Sequence, residues 1–434
     1  MFLLSFVLED WAIHELVPSP RQRRLAVTLV VSSYVTWTYQ THTFSNAVET
    51  LIVLWSIVMI QRILDKNVSP SLCERALPDH HQHRSNLVSS AILGVLITTG
   101  IFNRITFPAF LLVPGCFLLP HFRRRPLSPI VLILTTALTT FLAVSIDTSF
   151  YNPPAAASIT TLLRTPTITP LNSLLYNTST SNLSLHGLHP PYQHLLFSLP
   201  LLLGPALPLF LARPRLSSLP SLSAVTGTAI LSLIPHQEPR FLLPTIPLIL
   251  STIQLPRSRA LTHCFLAAWL VFNATLGILM GIYHQGGVIP AQIWLGEQEN
   301  LGLTEVLWWR TYSPPIWLLG GNNLTTTDLM GMDFASFTGI VDSHAGGCRD
   351  VGLGLVAPAS SVELDAWKEG GREGAQEGEF VLEEVWRYGR HLNLDDLDVG
   401  GEGVWGTVRR VVGRRGLVVW RVGRRCVGEG AWIA

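Results

Sequence analysis

The chain has 434 residues and a formal net charge of +1; 48% of the residues are hydrophobic and only 14% charged, against roughly a quarter charged in an ordinary soluble domain. That deficit implies a bilayer rather than a larger soluble core. The near-neutral balance, with arginines in short clusters between apolar runs, excludes a nucleic-acid footprint.

The opening MFLLSFVL runs into Glu9 and Asp10 without a basic start or a small-residue cleavage site. It reads as the last turns of a membrane helix whose beginning is missing, not as a signal peptide. Nine candidate spans follow: Leu25–Tyr39, Ala47–Ile60, Leu87–Ile101, Phe107–Leu119, Leu127–Ile146, Leu195–Leu211, Leu219–Ile234, Phe241–Leu255 and Leu261–Tyr283. Several are shorter than the roughly 20 residues a membrane helix uses. Basic residues recur at alternate connections (Arg21, Arg23 and Arg24; Arg62 and Lys66; Arg123 to Arg125; Arg213 and Arg215; Arg257 and Arg259). Under the positive-inside rule these face the cytosol. The remaining connections, and everything after His284, then face the lumen. Sequons at Asn177, Asn182 and Asn323 fall on that side, whereas those at Asn67, on the cytosolic side, and Asn273, inside a span, are set aside.

The architecture expected is an α-helical polytopic membrane protein over residues 1–285, with about nine spans, a remnant of one more and a large lumenal loop at 147–194. A small lumenal α/β domain over residues 286–434 follows, with strands expected at Val381–Trp386 and Val404–Val422. Five scattered cysteines, Cys73, Cys116, Cys264, Cys348 and Cys426, show neither a CxxC pair nor zinc spacing and read as unpaired small apolar residues. A bridge between Cys348 and Cys426 in the polar tail is the one pairing left open.

Polar residues inside the apolar runs carry the chemistry. The segment PHQEPRFLLP, Pro235 to Pro244, interrupts the run from Leu231 to Leu250. An ionisable group near the bilayer centre costs roughly 2.5–3.5 kcal/mol, so His236, Glu238 and Arg240 must lie at a rim or line a cavity. One reading is a tight polar turn capping two helix ends. The other is a cradle for an anionic headgroup, in which the Arg fork meets phosphate oxygens, His donates, and Glu orients either. The loop after Asp147 offers Phe150, Tyr151, Asn172, Tyr176, Asn177, His186, His189, Tyr192 and His194. Aromatic faces with amide and imidazole groups suit a sugar, and a solvated loop with interfacial aromatics is the alternative. His186 and His189 lack further ligands at metal spacing, so no metal is expected. Arg104, at the tip of the Leu87–Leu119 hairpin, is a snorkelling side chain or a second phosphate contact. Tyr283, His284 and Gln285, followed by Gly286 and Gly287, read as a glycine turn or a further polar contact. The polar groups gather at one membrane face and no internal repeat is visible, which disfavours a transporter or scramblase.

These strings resemble glycosyltransferase family 22, the dolichyl-phosphate-mannose-dependent mannosyltransferases. PHQEPRFLLP is similar to that family's HKExRFxxP-type signature, with Gln237 at the usual Lys. HGLHPPYQH, from His186 to His194, together with Asp147, Tyr151, Asn172 and Tyr176–Asn177, resembles its long-loop pattern, and GIFNRITFPAF resembles its Arg-x-Thr hairpin. SFVLEDWAIHEL, THTFSNAVET, YHQGGVIPAQ, TYSPPIWLLG, HLNLDDLD and VVGRRGL resemble the branch that adds the fourth, α-1,2-linked mannose to the glycosylphosphatidylinositol (GPI) precursor.

The resemblance implies a GT-C fold in the endoplasmic reticulum membrane, with the active site and the C-terminus lumenal. Dolichyl phosphate mannose is the implied donor, a GPI precursor glycolipid the acceptor, membrane lipids the surroundings, and no cofactor is called for. The implied transfer is inverting: a carboxylate accepts the acceptor's proton as the phosphate leaves from the opposite face. Stabilising that phosphate is the natural task for Arg240, with His236 assisting. The candidate donor or acceptor contacts are His236, Gln237, Glu238, Arg240, Arg104, Asp147, Tyr151, Asn172, Tyr176, Asn177, His186, His189 and His284. The catalytic Asp of the family belongs to an acidic first lumenal loop expected upstream of this chain. The alternatives are another acceptor within the family, the third GPI mannose or an N-glycan precursor, and an inactive truncated paralogue.

Overall fold

The computed structural model describes residues 2–42, 44–68, 79–154, 160, 164–184, 187–298, 301–345, 352–369, 380–397 and 399–424. The chain divides into two compact units, Met1–Thr275 and Leu276–Ala434. The division falls within the last long apolar helix, earlier than the boundary after Gln285 expected from the sequence. His186, Cys73, Cys348 and Cys426 lie outside the described residues.

The first unit is helical. Ser45–Val68 packs against Asp79–Asn103, which packs in turn against Leu127–Tyr151. The second contact is held by small residues. Gly94 faces Thr135 and Thr136 so closely that a Cβ there would lie 2.2 Å from the Thr135 hydroxyl, and Thr139 donates to Thr98 across the helices at 2.8 Å. Small residues and hydroxyls are how helices approach one another where lipid supplies no hydrophobic drive.

Among the described residues four helices are long and apolar enough to cross a membrane: Ser45–Asp65, Asn86–Asn103, Leu127–Tyr151 and Arg259–Tyr283. A fifth crossing results if His194–Leu203 and Ala206–Ala212, bent by 118°, count as one. The bend sits at Gly204, whose φ of 45° lies in the left-handed region, and a Cβ there would meet the Phe272 ring.

The other runs expected as spans are shorter or broken. Leu25–Tyr39 becomes Pro20–Ser32 and a π turn, Thr36–Gln40; Phe107–Leu119 holds the Pro108–Cys116 helix; Leu219–Ile234 gives Leu219–Leu231; Phe241–Leu255 keeps only Thr245–Leu250. In the Phe241–Leu255 run, Pro244 and Pro247 remove backbone donors near the start of the remaining helix, whereas the Pro20–Ser32 helix ends at Ser33, which is extended. Asn273, set aside as a sequon, is interior: it is buried and its Oδ1 accepts from the Tyr34 amide at 2.8 Å.

The second unit is a five-stranded mixed sheet in the order β2-β1-β3-β5-β4, formed by β1 (Glu305–Trp308), β2 (Thr325–Asp328), β3 (Leu353–Pro358), β4 (Phe380–Tyr388) and β5 (Leu417–Arg424). β1 pairs in parallel with β2 and β3, while β5 pairs antiparallel with β3 and β4. Side chains alternate between two buried faces. Leu307, Leu355, Val418 and Trp420 pack on one side with Phe337 and Val341 of the Phe334–His344 helix. Val306, Trp308, Val356 and Val419 pack on the other with Val288, Ala291 and Leu295 of the Val288–Glu297 helix. On the first face Phe337 stacks between Trp309 and Trp367, at 4.4 and 5.6 Å.

One strand expectation is corrected. Of the stretch Val404–Val422, only the end is strand; Val399–Gly413 is helical. Its buried side chains, Thr407 and Val411, are four apart, which is the helical period and not the alternating one.

Candidate active site

Two prolines shape the His236–Arg240 segment. After the Leu219–Leu231 helix the chain turns, and Pro235 and Pro239 bracket an extended stretch in which Glu238 has φ −117° and ψ 146°. A single-turn 3₁₀ helix, Pro239–Leu242, follows. Gln237 fixes the turn from beneath. It is buried, its amide donates to the carbonyls of Ser232 and Ile234 at 2.9 and 3.1 Å, and its Oε1 accepts from the His194 amide at 3.1 Å. Gln237, one of the candidate contacts, directs its side-chain polar atoms to backbone.

That clamp leaves the alternate residues, 236, 238 and 240, together. Glu238 is contacted by both flanking residues: His236 Nε2 lies 3.0 Å from its Oε1, and Arg240 donates to the same oxygen at 2.9 Å while its Nε pairs with Oε2. Burial pushes the Glu238 carboxyl up, but the hydrogen bond and charge of Arg240, then those of His236, outweigh it and hold the group below its ordinary value. His236 Nδ1 faces the Gly187 carbonyl at 3.1 Å. Both ring nitrogens therefore face acceptors.

A second cation joins from a distant part of the chain. Arg104 follows the Asp79–Asn103 helix and pairs with Glu49 at 3.0 Å. It also donates to Ser45 Oγ at 3.1 Å, and Thr106 donates to Glu49 at 2.9 Å. The ring of Phe241 links the two halves: the Arg104 guanidinium lies over it at 4.9 Å, and His236 meets its edge at 5.5 Å. Arg240 lies over Phe44 at 5.5 Å. The Arg240 side chain is 39% exposed and Arg104 18%, so Arg240 is the guanidinium more open to a ligand.

The long loop contributes in part. His189 is tied to the turn twice, its amide donating to the Pro235 carbonyl at 2.8 Å and its Nδ1 accepting from the Gln237 amide at 3.3 Å. Its ring lies 6.1 Å from His236. Asp147, still on the Leu127–Tyr151 helix, accepts from Thr169; Tyr151 is exposed. Asn172, Tyr176 and Asn177 ride exposed on the Thr169–Thr178 helix. Among the described residues no direct hydrogen bond joins Asp147, Tyr151 or Asn172 to the cluster. His284 belongs to the second unit, where its Nε2 lies 2.8 Å from the Tyr312 hydroxyl. No group of three metal-ligating side chains occurs among the described residues.

Glu49 was not singled out from the sequence, although a signal was present: it is the only charged residue in the run Ala47–Ile60, and the structure buries it completely. Two guanidiniums, Arg240 and Arg104, lie with the His236 ring around two carboxylates, Glu238 and Glu49. The spare guanidinium N–H groups, with Arg240 partly exposed, suit an anionic ligand with several oxygens, such as a phosphate.

The pattern of the Alg9-like mannosyltransferase family matches residues 2–319. The chain is 46% identical to GPI mannosyltransferase 4 of Aspergillus oryzae, over 98% of this chain and 81% of that protein. It is also 46% identical to GPI mannosyltransferase 4 of Emericella nidulans, over 97% and 80%, and 35% identical to that of Saccharomyces cerevisiae, over 92% and 79%. No solved structure matches it. A family match over most of its length, in a chain with four helices, among the described residues, long and apolar enough to cross a membrane, makes this multi-pass membrane chain a member of the Alg9-like mannosyltransferase family.

Proposed function

We propose that the chain transfers mannose from dolichyl phosphate mannose to a GPI precursor glycolipid, as the fourth, α-1,2-linked residue, at the lumenal face of the endoplasmic reticulum membrane within a GT-C architecture. The observation that carries this reading is the similarity to GPI mannosyltransferase 4 over nearly the whole chain. The arrangement of the cationic cluster supports it.

The chemistry follows from charge. As the glycosidic bond to the donor breaks, negative charge grows on the departing phosphate, and preorganised donors aimed at it lower the barrier without reorganising. Arg240 is held in place by Glu238, so its remaining N–H groups are oriented before the donor arrives. Arg104, pinned by Glu49 and the Phe241 ring, supplies a second fixed guanidinium, and His236 supplies a proton-bearing edge. Glu238 and Glu49 thus act through the cations they hold. Asp147, Tyr151, Asn172, Tyr176, Asn177, His186 and His284 remain candidate contacts for the sugars of donor and acceptor.

Acceptor identity tests the reading. Membranes bearing the full-length enzyme, supplied with dolichyl phosphate mannose and a three-mannose GPI lipid, should yield a four-mannose product. Extension of only a two-mannose GPI or an N-glycan precursor would overturn the assignment.

A further inference from the structure

The Leu276–Ala434 unit holds a cavity of its own, about 460 Å³, within the size range of small-ligand sites. It opens beyond the C-terminal ends of the parallel strands: Arg310 and Thr311 follow β1, Gly331 follows β2, and Glu363 follows β3. β1 is central, and the chain passes from β1 to β2 on one side and then to β3 on the other. Such switch points are where open α/β sheets bind ligands. The backbone there is strained. Arg310 and Met330 take φ of 56° and 50°, a left-handed conformation uncommon for side chains other than glycine, and the Arg310 amide donates to the Met330 carbonyl at 2.7 Å. Thr311 is more than nine-tenths buried, lines this cavity, and its hydroxyl has no hydrogen-bond partner in the structure.

We infer that this cavity binds a neutral, hydroxyl-rich ligand, a saccharide. Its charges decide against the alternatives. Two guanidiniums, Arg310 and Arg410, face three carboxylates, Glu363, Asp396 and Glu402, so an anion meets net negative charge. Each guanidinium is already paired: Arg310 makes two bonds to Glu363, at 3.1 and 2.7 Å, and Arg410 bonds Glu402 at 3.0 Å. A phosphate would have to displace a carboxylate, and an ammonium ion would sit beside fixed positive charge. Neither obstacle applies to vicinal hydroxyls. A carboxylate has more lone pairs than one guanidinium uses, and a guanidinium more N–H groups than one carboxylate takes. Arg410 also donates to the Ser360 and Asp396 carbonyls, each at 3.2 Å, so the spare N–H groups are mainly those of Arg310; beside the free lone pairs of Glu363 and Glu402 and the Thr311 hydroxyl they set donors next to acceptors. This inference goes beyond the transfer reaction proposed above; only the choice of an α-1,2-linked probe rests on that reading.

The test is titration of α-1,2-linked mannobiose into the detergent-solubilised full chain carrying Arg240→Ala, which removes the principal ligand contact of the transfer site. Mannobiose should bind. Adding Thr311→Val, which deletes one hydroxyl at constant shape, should weaken binding about fivefold, the worth of one hydrogen bond. Gly331→Leu, at a position where nothing lies within 4 Å of an added Cβ, should fill the mouth and abolish binding. Because Thr311→Val removes a buried hydroxyl lacking a partner, its thermal midpoint should be unchanged or raised, which separates lost binding from lost folding. Thr311→Val alone should leave mannosyl transfer intact. Undetectable mannobiose binding, wild-type affinity in both variants, or binding of inorganic phosphate or ethanolamine in its place would overturn the inference.

Discussion

Glu238 meets both His236 and Arg240 while lying only two residues from each, a geometry that its own extended backbone, ahead of Pro239, allows. If Arg240 meets the departing phosphate, Arg240→Ala should lower transfer about 10²–10³-fold, the usual cost of removing one such donor. Membrane insertion, followed by protease protection, should not change. Arg240→Lys should recover only part of the loss, since an ammonium keeps the charge but not the planar fork. Wild-type turnover in the alanine variant would remove the residue from this role. The cluster was legible in the sequence because charge inside an apolar run has few uses. The work of Gln237 was not, because its partner His194 lies 43 positions away and only folding brings the two together. The Arg104–Glu49 pair was hidden for the same reason.

Among the elements, the segment around His391 carries a pH dependence. His391 is fully buried and accepts from the Gly287 amide at 3.2 Å through Nδ1, so its proton sits on Nε2. Burial, then the nearby His284, pushes its pKa from 6.5 down to about 3. A depressed histidine pKa means the fold favours the neutral ring. The stability it contributes is complete above about pH 6.5 and is lost as pH falls through the window towards 3. The thermal midpoint of the chain should fall across that window, and His391→Asn should flatten the dependence; equal slopes in both proteins would refute this. The strands near Val381 were readable from their residue types. The Val399–Gly413 helix was mistaken for strand because β-branched residues crowd it, although Thr407 and Val411 recur at helical spacing.

For the whole molecule, nine apolar runs resolve into four long helices and a bent pair among the described residues. Hydropathy shows where the chain avoids water; where each helix stops is set locally, at Ser33 after Pro20–Ser32 and at Ser232 after Leu219–Leu231. The proposed orientation has its own test. Asn177 and Asn323 are exposed and should carry N-glycans, detected as a mobility shift on glycosidase treatment, while the buried Asn273 should not. Unmodified Asn177 and Asn323 in a mature protein would speak against a lumenal placement.

The aromatic stack of the second unit has an optical consequence. Trp309, Phe337 and Trp367 overlap face to face in a buried, asymmetric setting, the kind of environment that gives rise to near-ultraviolet circular dichroism and loses it when side-chain packing loosens. That band should report the integrity of the sheet unit in detergent, where the far-ultraviolet signal is dominated by membrane helices that remain intact.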